Sequence, residues 1–494
     1  MRATVSGEAA MRQNHTRWAV DMCEPVAART NSVEGLRVAV LGLGRSGRAA
    51  TRLALARGAA AVYASDSDAG PVLEEARAEL EALGADVELG RHDPERLAGS
   101  ELVVISPGIP PARTPLAELP GVRVVGELEL ASWYVMSPLA AVTGTNGKTT
   151  TTALLHAIGE AAGARTVAAG NIGLPLSDVA AAGEPLDWIA CEASSFQLAS
   201  IESFRPRVGV LTNIAADHLD RYDEIGSYVR DKEAIARNMT SDDALVLNAD
   251  DPGSDGFARD AAAARRFFTV KRPRLPGLGV HRGWFLERKA DGTERRIAPL
   301  ESLRLRGPHN LQNALAAGLA ALLMGVPREG VAAGLRQFTG VPHRLEEVAR
   351  IDGVRFVNDS KATNVQATVW ALRSFDSCLL PILGGRHKGS PYSPLAPEMA
   401  GKVKTVFAIG EARERIAADL EGTVRVIPMD SLEEAVRAAF RSAEGGDTVL
   451  LSPACSSYDM FRDFEDRGEA FRRIVNGLRR SPDFARDRRR KDPR

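Results

Sequence analysis

The sequence predicts an α/β protein of three domains, each built on a mostly parallel sheet. Two observations carry this. At 494 residues the chain is too long for one hydrophobic core. Along most of it, short apolar runs alternate with helix-periodic segments, the pattern of strand–helix–strand units. Charge is nearly balanced, 63 basic residues against 64 acidic, which argues against a nucleic-acid partner. No apolar run reaches the roughly 18 residues of a membrane span, and no signal-peptide pattern is present. A cytoplasmic protein without membrane insertion is therefore expected. Cys23, Cys191, Cys378 and Cys455 lie far apart with no metal-type spacing, and Cys191 and Cys455 sit in apolar surroundings that suit small reduced core residues.

Residues 1–34 show no steady period and read as a flexible leader. The first domain, 35–137, opens with a strand at Val38–Leu41 and a helix pattern through Leu55. Between them lies Gly42-Leu43-Gly44-Arg45-Ser46-Gly47, and Asp66 stands nineteen residues past Gly47 at the end of the next strand. Glycines at that turn let a diphosphate approach a helix N-terminus, while an acid at the next strand end can bond a ribose hydroxyl. The pattern suits a nucleoside diphosphate, NAD included, without naming it. A further strand, Leu102–Ile105, ends in Ser106-Pro107-Gly108.

The second domain, 138–340, holds the strongest signal. The apolar run Leu139–Val142 meets Thr143-Gly144-Thr145-Asn146-Gly147-Lys148-Thr149-Thr150, after which Leu154, Leu155 and Ile158 follow at helical spacing. Backbone N–H groups of such a turn cradle a polyphosphate, Lys148 neutralises its charge and Thr149 can hold Mg²⁺. Val142 stands where the common phosphate loop has its first Gly, so this is a variant loop. Glu192 ends the strand candidate Trp188–Cys191, and Asp217-His218 follows another at Val208–Leu211. Ligands of open α/β sheets sit beyond the carboxyl ends of the strands, so both segments face the loop. An acid and an imidazole beside a phosphate-bound Mg²⁺ make chemical sense.

In the third domain, 341–478, three small or cationic loops follow strands: Asn358–Asn364, Gly384–Gly389 and Ser452–Ser457. Lys361, Thr363, Lys388 and Ser457 are candidates for an anionic small molecule, with solvated loop lysines the alternative. Residues 479–494 form an Arg- and Asp-rich charged tail.

Together, the phosphate loop, Asn171–Pro175, Glu192–Gln197, His309–Asn313, His343-Arg344, the Asn358–Asn364 loop and the Ser452–Ser457 loop resemble the Mur ligases from about Gly35 to Leu478. The segment Ser360-Lys361-Ala362-Thr363-Asn364 resembles the branch that adds D-glutamate. The resemblance implies a Rossmann-like N-terminal nucleotide-binding domain, a central P-loop-type ATPase domain and a Rossmann-like C-terminal domain that brings the amino acid. It implies ATP-dependent ligation of D-glutamate to UDP-N-acetylmuramoyl-L-alanine through an acyl phosphate, in peptidoglycan synthesis.

By that resemblance Gly44, Arg45, Ser46, Asp66, Ser67, Ser106, Pro107, Gly108, Asn171, Ser194 and His218 meet the UDP substrate. Gly144–Thr150, Asn310, Asn313, Arg344 and Asp359 meet ATP, and Lys361, Thr363, Lys388, Ser457 and Phe464 hold glutamate. Thr149 and Glu192 hold one Mg²⁺; His218 and Lys232 hold a second, Lys232 as a carbamate. Lys148, His218 and Lys232 are the implied catalytic set, and a monomer is expected. Arg386-His387 adds positive charge before Lys388, a departure from the family pattern. A Mur-type ligase for L-glutamate or another amino acid is the near alternative. An NAD-dependent oxidoreductase is a distant one that leaves the central loop unused.

Overall fold

The computed structural model describes residues 31–109, 114–119, 121–215, 222, 224–305, 307–375, 378–387 and 389–478. The leader up to residue 30, the tail from 479, His218 and Lys388 lie outside them. The chain divides between Thr339 and Gly340 into two compact units.

The first unit contains two sheets. Strands β1 (Arg37–Leu41), β2 (Ala61–Asp66), β3 (Asp86–Leu89), β4 (Leu102–Ile105) and β5 (Arg123–Gly126) form an all-parallel sheet in the order β3-β2-β1-β4-β5. The order reverses between β1 and β4, so a crevice opens at their carboxyl ends. Apolar residues on both faces, among them Val38, Val40, Val103 and Val104, are buried, as helix-covered parallel strands require.

The larger sheet has β6 (Leu139–Thr143), β7 (Thr166–Gly170), β8 (Trp188–Glu192), β9 (Val208–Leu211), β10 (Ala244–Asn248), β11 (Ala264–Thr269), β12 (Gly277–His281), β13 (Trp284–Arg288) and β14 (Glu294–Pro299), ordered β14-β13-β12-β11-β10-β9-β6-β8-β7. Its switch point falls beside β6, which pairs with β8 on one side and β9 on the other. Strands β12, β13 and β14 extend one edge as an antiparallel meander. Helices Lys148–Ala161, Pro308–Leu323 and Arg328–Gln337 cover one face, burying Leu154, Leu155, Ile158, Leu315, Leu319 and Leu335.

A helix of the first layer, Glu127–Ser132, joins the two sheets. Glu129 is fully buried and accepts from the N–H groups of Glu202, Ser203 and Phe204 and from the indole of Trp133, at 2.8–3.0 Å. The neighbouring acid Glu127 accepts from the Ser177 N–H at 2.6 Å, and burial pushes its carboxyl up to about 7. Part of the expected loose leader belongs to this packing. Val33 is fully buried and its N–H donates to the Tyr134 hydroxyl at 2.8 Å, so the packed chain starts before residue 35. An apolar side chain with a core to enter overrides a composition that reads as unstructured.

The second unit has one six-stranded sheet: β15 (Glu346–Ile351), β16 (Val354–Asn358), β17 (Leu379–Gly384), β18 (Val406–Ile409), β19 (Val426–Pro428) and β20 (Thr448–Leu451). The order is β15-β16-β20-β17-β18-β19, parallel except for the β15–β16 hairpin at one edge. Strands β16, β20 and β17 are adjacent, so the three loops singled out from the sequence leave neighbouring strand ends. Among the described residues no helix is long and apolar enough to cross a membrane.

Candidate active site

At the first switch point, Gly42 and Gly47 are fixed by contact. A Cβ on Gly47 would lie 1.7 Å from the Gly42 carbonyl, and one on Gly42, at φ +87°, would meet Ser106. The helix Arg45–Ala56 starts at Gly44 with no side-chain cap, so its first N–H groups face the crevice beside Arg45 and Ser46. Asp66 accepts from the Leu43 N–H at 2.7 Å and the Asp68 N–H at 3.0 Å, next to Ser67. Its carboxylate therefore also shapes the turn. The Ser106 hydroxyl donates to the Gly42 carbonyl at 2.9 Å, bringing Ser106-Pro107-Gly108 against the glycine turn. Arg45 reaches out of this layer and donates to the Gly173 carbonyl in the larger-sheet layer.

The loop Gly144–Gly147 leaves β6 at the second switch point and opens the helix Lys148–Ala161. It is held by the segment after β9. Thr145 N–H donates to the Asn213 carbonyl at 2.9 Å, Asn146 N–H to Asn213 Oδ1 at 3.0 Å, and the Thr212 hydroxyl to the Asn146 carbonyl at 2.6 Å. Gly144 and Gly147 have φ of +138° and +83°; a Cβ would lie 2.0 Å from Thr212 Oγ1 and 2.2 Å from Asn313 Oδ1 respectively. Both positions therefore demand glycine. Lys148 Nζ donates to the Gly144 and Thr145 carbonyls at 2.9 and 3.0 Å. Thr149 and Thr150 are buried just beyond it.

Lys232 Nζ donates to the same Gly144 carbonyl at 3.0 Å and stands 4.3 Å from the Tyr228 ring centroid. The plain surface lysine that its helix position would allow is excluded, because Lys232 is 1% exposed. Asn313 is buried against the loop; Thr151 donates to its Oδ1 at 3.3 Å and its amide donates to Asn310 at 3.2 Å.

Glu192 ends β8 in register with Val142 of β6. It is 2% exposed; Oε1 accepts from the Asn171 amide at 2.7 Å, whereas Oε2 is buried with no hydrogen-bond partner. A buried carboxylate oxygen without a donor carries a large desolvation cost unless a cation meets it. Glu192 and the Thr149 hydroxyl are hard oxygen donors, and they fit Mg²⁺. Among the described residues no cluster of three or more His, Cys, Asp and Glu side chains assembles as a metal centre. Ser194 caps the short helix Ser195–Leu198 in a reciprocal box with Gln197, which gives its hydroxyl a structural task.

In the second unit Arg344 sits between two residues with left-handed backbone, His343 at φ +61° and Leu345 at φ +44°. Each such residue costs about 1–3 kcal/mol. The Asn358 amide donates to His343 Nδ1 at 2.9 Å, and the Leu345 N–H donates to Asp359 at 3.2 Å. Arg344 Nε is buried without a hydrogen-bond partner. Burial pushes the Asp359 carboxyl up to about 7, opposed by the Arg344 charge and the Ser452 hydroxyl. Lys361 lies 5.4 Å from the Phe464 ring centroid; Thr363 is half-buried and Ser457 buried.

Sequence reasoning missed Arg467. It is 1% exposed and reaches all three loops. Nε donates to Ser360 Oγ at 3.0 Å, Nη2 to the Ser360 and Cys455 carbonyls at 2.9 and 3.2 Å, and Nη1 to the Ser456 and Gly384 carbonyls at 3.3 and 3.5 Å. Burial lowers its guanidinium to about 10, still charged at neutral pH.

Known proteins match this arrangement along most of the chain. The Mur ligase MurD-like N-terminal domain matches residues 36–126, the Mur ligase middle domain 142–321, and the Mur ligase glutamate ligase domain 343–455. The chain belongs to the Mur ligase family. The UDP-N-acetylmuramoylalanine–D-glutamate ligase of Salinibacter ruber is 42% identical over 460 residues, covering 91% of this chain and 99% of that one. That of Acidobacterium capsulatum is 43% identical over 446 residues, covering 90% and 96%. These relatives put the chain in the D-glutamate ligase branch. The crystal structure of the UDP-N-acetylmuramate–alanine ligase MurC from Thermotoga maritima shares the fold, at a TM-score of 0.56 and 19% identity over 90% of this chain and 99% of that one.

Proposed function

We propose that this Mur ligase joins D-glutamate to the alanyl carboxylate of UDP-N-acetylmuramoyl-L-alanine, using ATP, in peptidoglycan synthesis in the cytoplasm. The observation that carries the mechanism is the buried, half-partnered Glu192 beside the Gly144–Thr149 loop. The crevice between β1 and β4 takes the uridine diphosphate, with Gly44, Arg45 and Ser46 at the helix N-terminus and Asp66, Ser67 and Ser106–Gly108 around it. Asn171, Ser194 and His218 meet the muramyl part.

The reaction must bring a carboxylate to the γ-phosphate, two groups that repel one another. Lys148 leaves the loop carbonyls for the phosphates, and the N–H groups of the helix start, Lys148–Thr150, fix the chain of phosphates in line, while the Thr145 and Asn146 N–H groups stay on Asn213 and shape the loop. Thr149 and Glu192 would hold one Mg²⁺, and His218 with carbamylated Lys232 a second; bound there, magnesium supplies the charge that offsets this repulsion. A carbamate keeps an N–H, so the bond from Lys232 to Gly144 would survive the modification and the new oxygens would serve as hard ligands. Asn310 and Asn313 complete the nucleotide site. Lys361, Thr363, Lys388, Ser457 and Phe464 hold glutamate while its amine attacks the acyl phosphate and phosphate departs.

Phosphate release is measured with UDP-N-acetylmuramoyl-L-alanine, ATP and Mg²⁺ against D-glutamate, L-glutamate and other amino acids. Release dependent on D-glutamate is expected, and release with no amino acid in the panel defeats the assignment. Activity that falls in bicarbonate-free buffer and returns with bicarbonate is expected from the carbamate.

A further inference from the structure

The charged pair Arg386-His387, unused by the reading above, has a defined place. The Arg386 N–H donates to the Ser456 carbonyl at 2.9 Å and the Ser456 hydroxyl returns to the Arg386 carbonyl at 3.2 Å. This antiparallel pairing sets His387 opposite Cys455, the residue before Ser456-Ser457. Arg386 itself turns to Glu411, 3.3 Å away. His387 does something else. Its Nδ1 lies 3.0 Å from the Tyr392 hydroxyl, which lies 2.9 Å from Cys455 Sγ. Tyr392 is 1% exposed and Cys455 fully buried, whereas His387 is half-buried.

A phenol has one hydrogen to share between two partners. Sulfur is a weak acceptor and an imidazole nitrogen a good one, so the Tyr392 O–H goes to His387 Nδ1 and the Cys455 S–H to the Tyr392 oxygen. That order leaves the imidazole hydrogen on Nε2. Protonation of His387 would reverse the chain and still leave Nε2 a donor. In both states a buried anchor fixes the ring and its opposite edge carries an N–H.

We propose that His387 is a specificity-determining residue for the incoming amino acid, offering Nε2–H to its distal carboxylate, and that Tyr392 is the residue that positions it. This rests on the D-glutamate reading above. It gives the departure at Arg386-His387 a role: a second donor, set by the β17 loop, for the charge that distinguishes glutamate from glutamine.

Steady-state ligation tests it. His387→Ala is expected to raise KM for D-glutamate about tenfold, the worth of one bond to a charged group, with KM for ATP and the UDP substrate within about twofold. The preference for glutamate over glutamine in kcat/KM should fall by a similar factor. His387→Gln, whose amide reaches about as far as Nε2, should recover most of the loss. Tyr392→Phe keeps the ring packed; it should raise KM for D-glutamate severalfold with kcat little changed and an unaltered melting temperature. Parental KM for D-glutamate in His387→Ala, or an equal rise in all three KM values, overturns the inference while leaving the ligase reading intact. A parent protein inactive with D-glutamate removes both.

Discussion

Replacing Arg467 with Met tests whether one buried guanidinium organises the glutamate side of the site. Met fills a similar volume but donates nothing. Three of the lost contacts, to Ser360 Oγ and the Ser360 and Cys455 carbonyls, are 3.2 Å or shorter. At about 1.5–3 kcal/mol for each bond to a charged group, they contribute roughly 4–9 kcal/mol. Against this stands the penalty for burying the charge. Lowering the guanidinium from its ordinary value to about 10 corresponds to about 3 kcal/mol. The difference predicts a loss of roughly 1–6 kcal/mol from the second unit, together with a higher KM for glutamate as the three loops loosen. Arg467→Lys should restore little, because a single ammonium cannot span a fork that reaches four residues. Urea unfolding and glutamate kinetics of the two variants measure this. A Met variant as stable as the parent, with parental glutamate KM, would refute the reasoning.

Lys148→Ala should abolish phosphate release, by at least about a hundredfold, while thermal unfolding changes little, since the loss is of charge at the phosphates. Gly147→Ala should weaken nucleotide binding and destabilise the loop, because its Cβ would lie 2.2 Å from Asn313 Oδ1 at a φ of +83°; nucleotide titration and melting temperature report both effects. Asp359 has a folded value of about 7 against an ordinary 3.8. Its raised value means that the folded state binds the extra proton. The associated stability is present below about pH 4 and is lost as pH rises towards 7. Asp359→Asn should flatten that decline relative to the parent, in urea titrations between pH 4 and 7. Glu127 acts in the same window, so the test is the difference between the two proteins.

Much of the first unit was legible because its chemistry is local. A strand, a glycine turn and a helix start are contiguous at Gly42–Gly47 and Gly144–Thr150, and Glu192 ends an apolar run. The edge meander escaped because β12 carries two glycines and β13 and β14 are dense in Arg and Glu, which reads as loop. Arg467 escaped for another reason. It follows Glu465-Asp466 on a charged helix start and looks like a surface residue; its burial is decided by Ser360, some hundred residues upstream. Lys232 is similar, a charge between Asp231 and Glu233 whose acceptor is the carbonyl of Gly144. The strained backbone at Leu345 leaves no trace in residue type, since leucine is not among the residues that favour positive φ.

The seam at Glu129 bears on how such enzymes can be recombined. Its carboxylate takes the amides of Glu202, Ser203 and Phe204, so the first sheet's layer carries half of a lock whose other half is written seventy residues later. A chimera cut near residue 137 inherits an acid without its receptor, or the reverse, and strands a buried charge. Swapping substrate-reading modules between relatives therefore calls for transplanting the 200–204 turn along with the amino-terminal layer.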